Sequence, residues 1–252
     1  MAENNLHLRR DFMKILFVHN RYQHQGGEDV VLDAEMTLLS QEGHSVSLAI
    51  QDNSAITSFN SKVKAFLGVS YSEQSRHWLS AKIVEHEPDV IHVHNLFPLL
   101  SPSIYDACIE ADVPVVQTLH NYRMMCPGGL LMRNGKTCEK CVIGSAYQSV
   151  LHGCYRGSVV GTFSVARMVE KHRILGTWNH KVNRFIALTD FARNKFIEAG
   201  FPEDKITVKP NFTADVTLLD KDNYQNRIGA LFVGRLSQEK GVGTLLESWQ
   251  HL

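Results

Sequence analysis

Six short apolar runs, separated by amphipathic or polar segments, constrain the fold of this chain more than any other feature. The runs are dense in Val, Ile and Leu without regular polar alternation, which is typical of strands covered on both faces. The pattern predicts a Rossmann-like α/β fold, in which a parallel sheet has helices on both faces. The predicted strands are Ile15–His19, Ser45–Ile50, Val90–His94, Val115–Leu119, Phe185–Leu188 and Ile206–Val208.

Apolar residues three and four positions apart predict helices between these strands. In the first helix Val31, Ala34, Leu38 and Leu39 form the expected apolar face, and Gly43 follows its end. The predicted helices are Glu28–Gln41, Glu73–Glu87, Ser101–Glu110, Val159–Leu175 and Asp190–Ala199.

The domain organisation follows from changes in composition along the chain. Residues 13–212 are predicted to form one domain, after a disordered extension over residues 1–12. The polar, turn-rich stretch 213–227 is typical of a linker. A new strand is predicted from Ile228, where a second domain over residues 228–252 begins.

The bulk composition disfavours several classes of function. The 252 residues include 26 Lys and Arg and 26 Asp and Glu, so the net charge is zero and nothing favours nucleic acid as a partner. No apolar run approaches the roughly 20 residues of a membrane-spanning helix. The N-terminal residues carry charges without an apolar stretch of signal-peptide type, so a cytoplasmic location is expected.

A His-Asn pair lies at the C-terminal end of three predicted strands. The pairs are His19-Asn20, His94-Asn95 and His120-Asn121. Because the carboxyl ends of parallel strands lie along one edge of a sheet, these side chains are expected to line a ligand-binding crevice. The alternative is a local role, since Asn also forms turns at strand ends.

The loop after the first strand contains Gly26 and Gly27, and Glu28 begins the next helix. Two glycines let the backbone approach a ligand, and amides at a helix N-terminus favour anions. A flexible turn is the alternative interpretation. The loop lacks the G-x-G-x-x-G spacing, which disfavours a nicotinamide-dependent enzyme.

Five stretches of the chain have the sequence and the order of motifs in one known family. They are GGEDVVL, DVIHVHN, VVQTLHNYRMMCP, RFIALTDFARNKFIEAGFPEDKITVKPNF and LFVGRLSQEKGVGTLLES. Together they resemble glycosyltransferase family 4, the retaining nucleotide-sugar enzymes of the GT-B fold. The resemblance implies two Rossmann-like domains across a cleft, an N-terminal one that mainly holds the acceptor and a C-terminal one that holds the nucleotide-sugar donor.

The resemblance also implies roles for individual residues. His120 matches the family's histidine beside the donor sugar, and Gly26 and Gly27 match the loop at the donor phosphates. Arg235 and Lys240 match the cations that clamp the donor pyrophosphate, so no catalytic metal is expected; a solvated surface turn is the alternative. Acceptor contacts are expected, by position, from Asn20, Arg21, His94, Asn95, Tyr122 and Arg123.

The resemblance further implies how much of an enzyme is present. The family's paired-glutamate motif would lie beyond Leu252. The chain is therefore expected to be an acceptor domain with the first βα unit of a truncated donor domain, inactive alone, from an enzyme of polysaccharide or glycoconjugate assembly. The alternatives are a non-catalytic module that binds an acceptor or partner, the product of a decayed gene, and a cysteine-based redox protein.

Four cysteines lie close together in one Gly-rich segment with the spacing C-x11-C-x2-C-x12-C. Four thiolates can complete a tetrahedral structural zinc site, and free thiols are an equally weighted alternative. A disulfide is disfavoured by the expected cytoplasmic location. The four are Cys126, Cys138, Cys141 and Cys154, while Cys108 is predicted to be a small core residue.

Residues 151–184 hold six basic residues against one acid, accompanied by Phe163 and Trp178. A basic amphipathic surface can hold anionic headgroups, and the resembled family often acts on lipid-linked acceptors. Peripheral contact with the inner face of a membrane is therefore one expectation. A solvated helix face is the alternative.

Overall fold

A computed structural model of the chain describes residues 12–21, 26–52, 66, 68–213 and 229–251. Within these residues six parallel strands form one sheet, in the order β2-β1-β3-β4-β7-β8, and the six strand predictions are confirmed. A two-residue antiparallel hairpin, β5-β6, lies outside this sheet. The strands are β1 Lys14–Arg21, β2 Ser45–Asp52, β3 Val90–Asn95, β4 Val115–Leu119, β5 Met132–Arg133, β6 Lys136–Thr137, β7 Arg184–Ala187 and β8 Ile206–Val208.

The five predicted helices are all present, and only one boundary shifts by more than one residue. The third begins at Ile104, because Ser101–Ser103 form a turn. The α-helices are α1 Gly27–Gln41, α2 Glu73–His86, α3 Ile104–Glu110, α4 Lys140–Ile143, α5 Val159–Ile174, α6 Thr177–His180, α7 Asp190–Glu198 and α8 Val242–Trp249. Short 3-10 helices lie at Ala146–His152, Glu203–Lys205 and Gln238–Lys240.

Both faces of the sheet are covered, as the unbroken apolar runs predict. Successive side chains of a strand point to opposite faces. In β1, Ile15 and Phe17 join Leu32 of α1 in one cluster, whereas Leu16 and Val18 join the larger core on the other face. None of the described helices is long and apolar enough to cross a membrane.

The predicted apolar face of α1 is partly wrong. Leu38 is exposed, whereas Leu32 is fully buried, and the acidic side chain of Glu35 is buried beside it. The helix is rotated toward Glu35 because that carboxylate has buried partners on the sheet, described below. The polar contacts of one buried carboxylate thus set the face that hydrophobicity alone misassigns.

The strand predicted from Ile228 is not formed in the described residues 229–236, and only the helix of the expected βα unit, α8, is present. A parallel strand needs a neighbour to receive its backbone hydrogen bonds, and the described sheet ends at β8. Ile228 itself, residues 1–11 and residues 214–227 of the predicted linker lie outside the described residues.

Candidate functional site

The three predicted histidines meet at the carboxyl edge of the sheet. The strand order reverses between β1 and β3, and in open α/β sheets the ligand crevice lies outside the strand ends at such a point. The ring centroids of His94 and His120 are 5.0 Å apart, and those of His19 and His94 are 6.5 Å apart. The convergence expected from three separate strand ends is therefore observed.

A small crevice opens at this edge. Its walls come from the ends of β3 and β4 and from the loops that follow them. The lining includes His94, Asn95, Phe97, His120, Asn121 and Arg123.

A chain of polar groups, buried at Glu35 and His94 and partly exposed at its ends, runs from Lys209 to His120. The ammonium of Lys209 donates to Glu35 Oε1 at 2.7 Å, and Glu35 Oε2 lies 3.4 Å from Nε2 of His94. Nδ1 of His94 lies 3.0 Å from Nε2 of His120, within hydrogen-bond distance. Glu35 is thereby connected to the crevice through two imidazole rings.

Burial acts to raise the pKa of Glu35, but the contacts with His94 and Lys209 outweigh it and lower that pKa to about 2. Glu35 is therefore a carboxylate at neutral pH. It attracts the ammonium of Lys209 and the polar edges of the His92 and His94 rings, and so fixes how these rings are oriented.

Glu35, His92 and His94 also form a group whose ligand atoms all lie within 4.8 Å of one another, which is close enough to share a cation. The partly exposed Lys209 ammonium already pairs with this buried carboxylate at 2.7 Å. A divalent metal there would place a second positive charge beside it. We therefore assign this group to an ion-paired network and not to a metal centre.

His120 is neutral at physiological pH. Burial, followed by the neighbouring His94, lowers the pKa of His120 to about 3. Its Nε2 is occupied by His94, which leaves Nδ1 as the ring nitrogen for a ligand. A neutral imidazole held in this way can donate or accept one hydrogen bond, according to its tautomer, without bringing a charge to the crevice.

Asn20 and Asn95 fasten the strand ends to the following loop. Asn20 donates to the carbonyl of Phe97 at 2.8 Å and accepts from the amide of Leu99 at 3.1 Å. Asn95 donates to the carbonyl of Asn20 at 2.9 Å and accepts from the amide of Phe97 at 3.1 Å. Both carboxamides thus hold backbone, and apart from the contact between Asn95 and Phe97 their partners lie 75 to 79 residues away in the chain, unlike the local turns that the sequence left as the alternative.

The sequence profile of Glycosyltransferase Family 4 matches residues 25–214, most of the chain. The chain belongs to this family. No curated protein matches it in sequence.

Solved structures similar to the chain include Anabaena Alr3699/HepE in complex with UDP-glucose, at 18% identity and a TM-score of 0.43, over 79% of this chain and 44% of that one. UDP-GlcNAc 2-epimerase from Methanocaldococcus jannaschii is similar at 14% identity and a TM-score of 0.42, over 78% of this chain and 45% of that one. UDP-N-acetylglucosamine 2-epimerase from Rickettsia bellii is similar at 11% identity and a TM-score of 0.42, over 79% of this chain and 45% of that one. The chain spans less than half the length of each of these proteins.

The glycines that match the family's donor loop lie at the start of α1. Gly26 is the N-cap and Gly27 the first helical residue, and a Cβ on either would meet open space. The amide of Gly26 donates to the Asp29 carboxylate at 2.8 Å. Asp29 also contacts Nε2 of His19 at 3.3 Å and Nε of Arg21 at 3.4 Å, so this family loop is bound to the end of β1.

Glu28 connects the start of α1 to the loop that follows β4. Asn121 donates to its carboxylate at 3.3 Å. Burial raises the pKa of Glu28, against the opposing hydrogen bond from Asn121 and the charges of Arg123 and Arg235. Arg235 is therefore within electrostatic reach of Glu28.

The two cations expected at the donor pyrophosphate, Arg235 and Lys240, lie beyond the residues that the family profile matches. Arg235 is exposed and pairs with Glu239 at 3.3 Å, and Lys240 is also exposed. Arg123 and Tyr122 are better anchored, because Arg123 lies over the Phe97 ring at 4.8 Å and Tyr122 stacks on Phe196 at 5.8 Å.

The basic segment 151–184 is only partly a surface feature. Arg173 donates to the carbonyl of Cys141 at 2.9 Å, Lys181 pairs with Asp106, and Arg184 donates to the carbonyl of Asp204 at 2.8 Å. Trp178 is buried, so it cannot accompany a basic surface, whereas Phe163 is exposed. Val159 and Val160, four and three residues before Phe163 on α5, are also exposed, as is Leu151. The exposed cations near them in sequence are Arg156 and Arg167.

Three residues of the buried network were missed at the sequence level, namely Glu35, His92 and Lys209. Glu35 lies four residues after Val31, inside the apolar stripe of its own helix. His92 lies two residues before His94, on the same face of β3. An acid within an apolar stripe and a His-x-His strand were the available signals, and no sequence signal distinguished Lys209.

Proposed function

We propose that this chain forms the acceptor-side domain of a glycosyltransferase that transfers a sugar from a nucleotide-sugar donor, with retention, in polysaccharide or glycoconjugate assembly. The observation that carries the proposal is the position of His120. This family-motif histidine lines the crevice at the strand reversal and is held from behind by His94 and Glu35.

In this proposal His120 hydrogen-bonds the donor sugar at the reacting centre. Its neutral state suits a hydroxyl partner, and its attachment through Nε2 restricts the ring to one orientation. A group held in place before the sugar arrives loses little entropy on binding, and so contributes more to the transition state.

The donor diphosphate would lie between the start of α1 and the Val233–Lys240 segment. The open space at Gly26 and Gly27 admits a phosphate close to the backbone, and the N-terminus of a helix favours anions. Arg235 and Lys240 would supply the countercharge, with no metal required. Because both cations are exposed, we expect donor binding by this chain alone to be weak.

The acceptor would lie across Arg21, Tyr122 and Arg123, since Asn20 and Asn95 are occupied by backbone. We propose a glycan or lipid-linked acceptor, approached through peripheral contact of Phe163 and its exposed apolar neighbours with a membrane. Cations beside an exposed apolar patch are suited to anionic headgroups.

Amide chemical shifts measured during titration with UDP-, GDP- and ADP-sugars test the crevice assignment. At millimolar donor, the affinity expected of a weak site, one donor class should shift the amides of Gly26, Gly27 and His120. His120→Ala should abolish these shifts, and His77→Ala, an exposed histidine on α2, should leave them unchanged. Identical shifts in wild type and His120→Ala would refute the assignment.

A label-transfer assay separates an enzyme from a non-catalytic binding module. We expect the 252-residue chain to transfer no sugar alone, because Arg235 is not held in position. In the whole enzyme, His120→Ala should lower kcat/KM by at least about a hundredfold. Wild-type activity in that variant would exclude the role of His120, and transfer by the 252-residue chain would show that it is a complete catalyst.

Vesicle co-sedimentation tests the membrane contact. Vesicles that contain an anionic phospholipid should retain the wild-type chain, and Phe163→Asp should release it. Val84→Asp, at an exposed apolar residue of α2, is the matched control and should not change retention. Equal retention of the two variants would exclude the Phe163 surface.

A further inference from the structure

The segment between His120 and Ser158 is poorly supported by regular structure. It contains a hairpin of two-residue strands, the one-turn helix α4 and a short 3-10 helix. Met125, Leu131, Val142 and Ala146 of this segment pack into the main core, but little regular secondary structure orders the loops between them. Irregular segments of this kind are commonly fastened by a metal ion or disulfides. Arg123 and the crevice wall depend on how this segment is held.

Four cysteines of this segment line one cavity. They are Cys126, Cys138, Cys141 and Cys154, and none of them forms a disulfide. The remaining cysteine, Cys108, is buried in the main core, as predicted. Residues up to 28 positions apart in the sequence are thus brought to one place.

Three of the four thiols are placed by different local elements. The β5-β6 hairpin returns the chain so that the amide of Cys138 donates to the carbonyl of Leu131 at 2.8 Å. Helix α4 then places Cys141 within one turn of Cys138. The 3-10 helix Ala146–His152 precedes Cys154, whose amide donates to the carbonyl of Ser149 at 3.3 Å.

Gly128 allows the first and last cysteines to approach each other. A Cβ on this glycine would lie 3.8 Å from Cys126 Sγ and 3.3 Å from the carbonyl oxygen of Cys154. Four adjacent thiolates would repel one another unless a cation lay between them.

We propose that Cys126, Cys138, Cys141 and Cys154 bind one zinc-type metal ion, which fastens the segment between His120 and Ser158 to the sheet. Tetrahedral thiolate ligation requires sulfur atoms roughly 3.8 Å apart, given Zn–S bonds of about 2.3 Å. Among the described residues, Glu35, His92 and His94 have ligand atoms within 4.8 Å of one another, but no three of the cysteine sulfur atoms are this close together. Metal binding would therefore move the four cysteine side chains toward one another, and the thiols would release their protons to solvent.

Elemental analysis of the full chain, purified without chelator, tests the proposal. We expect about one equivalent of zinc per chain, and a fall of about tenfold or more in the double variant Cys138→Ser/Cys141→Ser. Cys108→Ala, which removes a buried thiol outside the segment, is the matched control and should retain the metal. Cobalt(II) in place of zinc should give thiolate-to-metal charge-transfer absorption.

A chelator titration of the wild-type chain covers the case in which the double variant does not fold. Removal of the metal should lower Tm and make four further thiols reactive to alkylation. Less than about a tenth of an equivalent of any transition metal, with four reactive thiols and a Tm unchanged by chelator, would overturn the proposal. Two disulfides in the intact mass would overturn it as well.

Discussion

The tripeptide Leu-Phe-Val occurs twice in this chain, with opposite outcomes. Leu16, Phe17 and Val18 lie in β1 and are fully buried. In the second copy Leu231 is 88% exposed and Val233 is 84% exposed, and no strand forms. Each copy is followed by glycines and then by a helix, α1 or α8.

The difference teaches that neighbours, and not local sequence, make the strand. The first copy has β2 and β3 on either side and α1 across one face. The second copy has no strand beside it in the described residues. β-propensity reports mainly how well a side chain packs against partners, so the same three residues contribute a core in one place and exposed surface in the other.

The largest expected effect comes from truncating the same residue type in the two copies. Phe17→Ala should lower the free energy of unfolding by about 3–5 kcal/mol, because it opens a cavity in a closed core. Phe232 is 37% exposed and has no strand beside it in the described residues, so Phe232→Ala should change it by about 1 kcal/mol or less. Urea denaturation of both variants measures the difference. Equal losses would mean that the second copy is as well packed as the first, which would break the comparison.

The second expected effect is a pH dependence of stability, and it arises from the histidines on the sheet that contains the first Leu-Phe-Val copy. Burial and then His94 lower the pKa of His92 to about 3, and His120 behaves alike. Below pH 6.5, the approximate pKa of histidine in the unfolded chain, these histidines bind protons in the unfolded state but not in the native state. The free energy of unfolding therefore falls as the pH drops from about 6.5 toward 3. Glu35, with a pKa of about 2, adds a further loss as the pH falls below about 4.5.

Between pH 7 and pH 5 the loss should be on the order of 2 kcal/mol or more, measured by urea denaturation at each pH. His77→Ala, at an exposed histidine, should leave this slope unchanged. A free energy of unfolding that is constant from pH 7 to pH 5 would show that the imidazoles under the crevice are not held neutral.

The sequence predicted the sheet well because its signals are local and redundant. The strand runs are short and rich in Val, Ile and Leu, and a Gly or Pro near the helix ends limited the choice of boundaries at Gly43, Pro88 and Gly200. The meeting of His19, His94 and His120 followed from one topological rule about parallel strands. These inferences needed no knowledge of side-chain partners.

The rest depended on partners far apart in the chain. Glu35 and Lys209 are 174 residues apart, and only their pairing explains why an acid lies on the buried face of α1. The carboxamides of Asn20 and Asn95 took backbone partners that no spacing rule indicated. The strand predicted from Ile228 was wrong in the described residues 229–236 for the same reason, since a strand is defined by its neighbour.

The smallest expected effect sharpens the comparison at two tryptophans. Trp178 is 4% exposed and stacks on Phe201, with ring centroids 5.6 Å apart, whereas Trp249 at the end of α8 is 49% exposed. A half-exposed ring is open to acrylamide, so Trp249→Phe should remove much of the quenchable fluorescence while changing the free energy of unfolding by less than about 0.5 kcal/mol. Trp178→Phe is the matched control, and it should leave the quenching in place while lowering stability measurably, since it creates a void among stacked rings. If Trp249→Phe destabilised the chain as much as Trp178→Phe, α8 would be packed against the rest of the molecule in solution, and the contrast between the two Leu-Phe-Val copies would not hold.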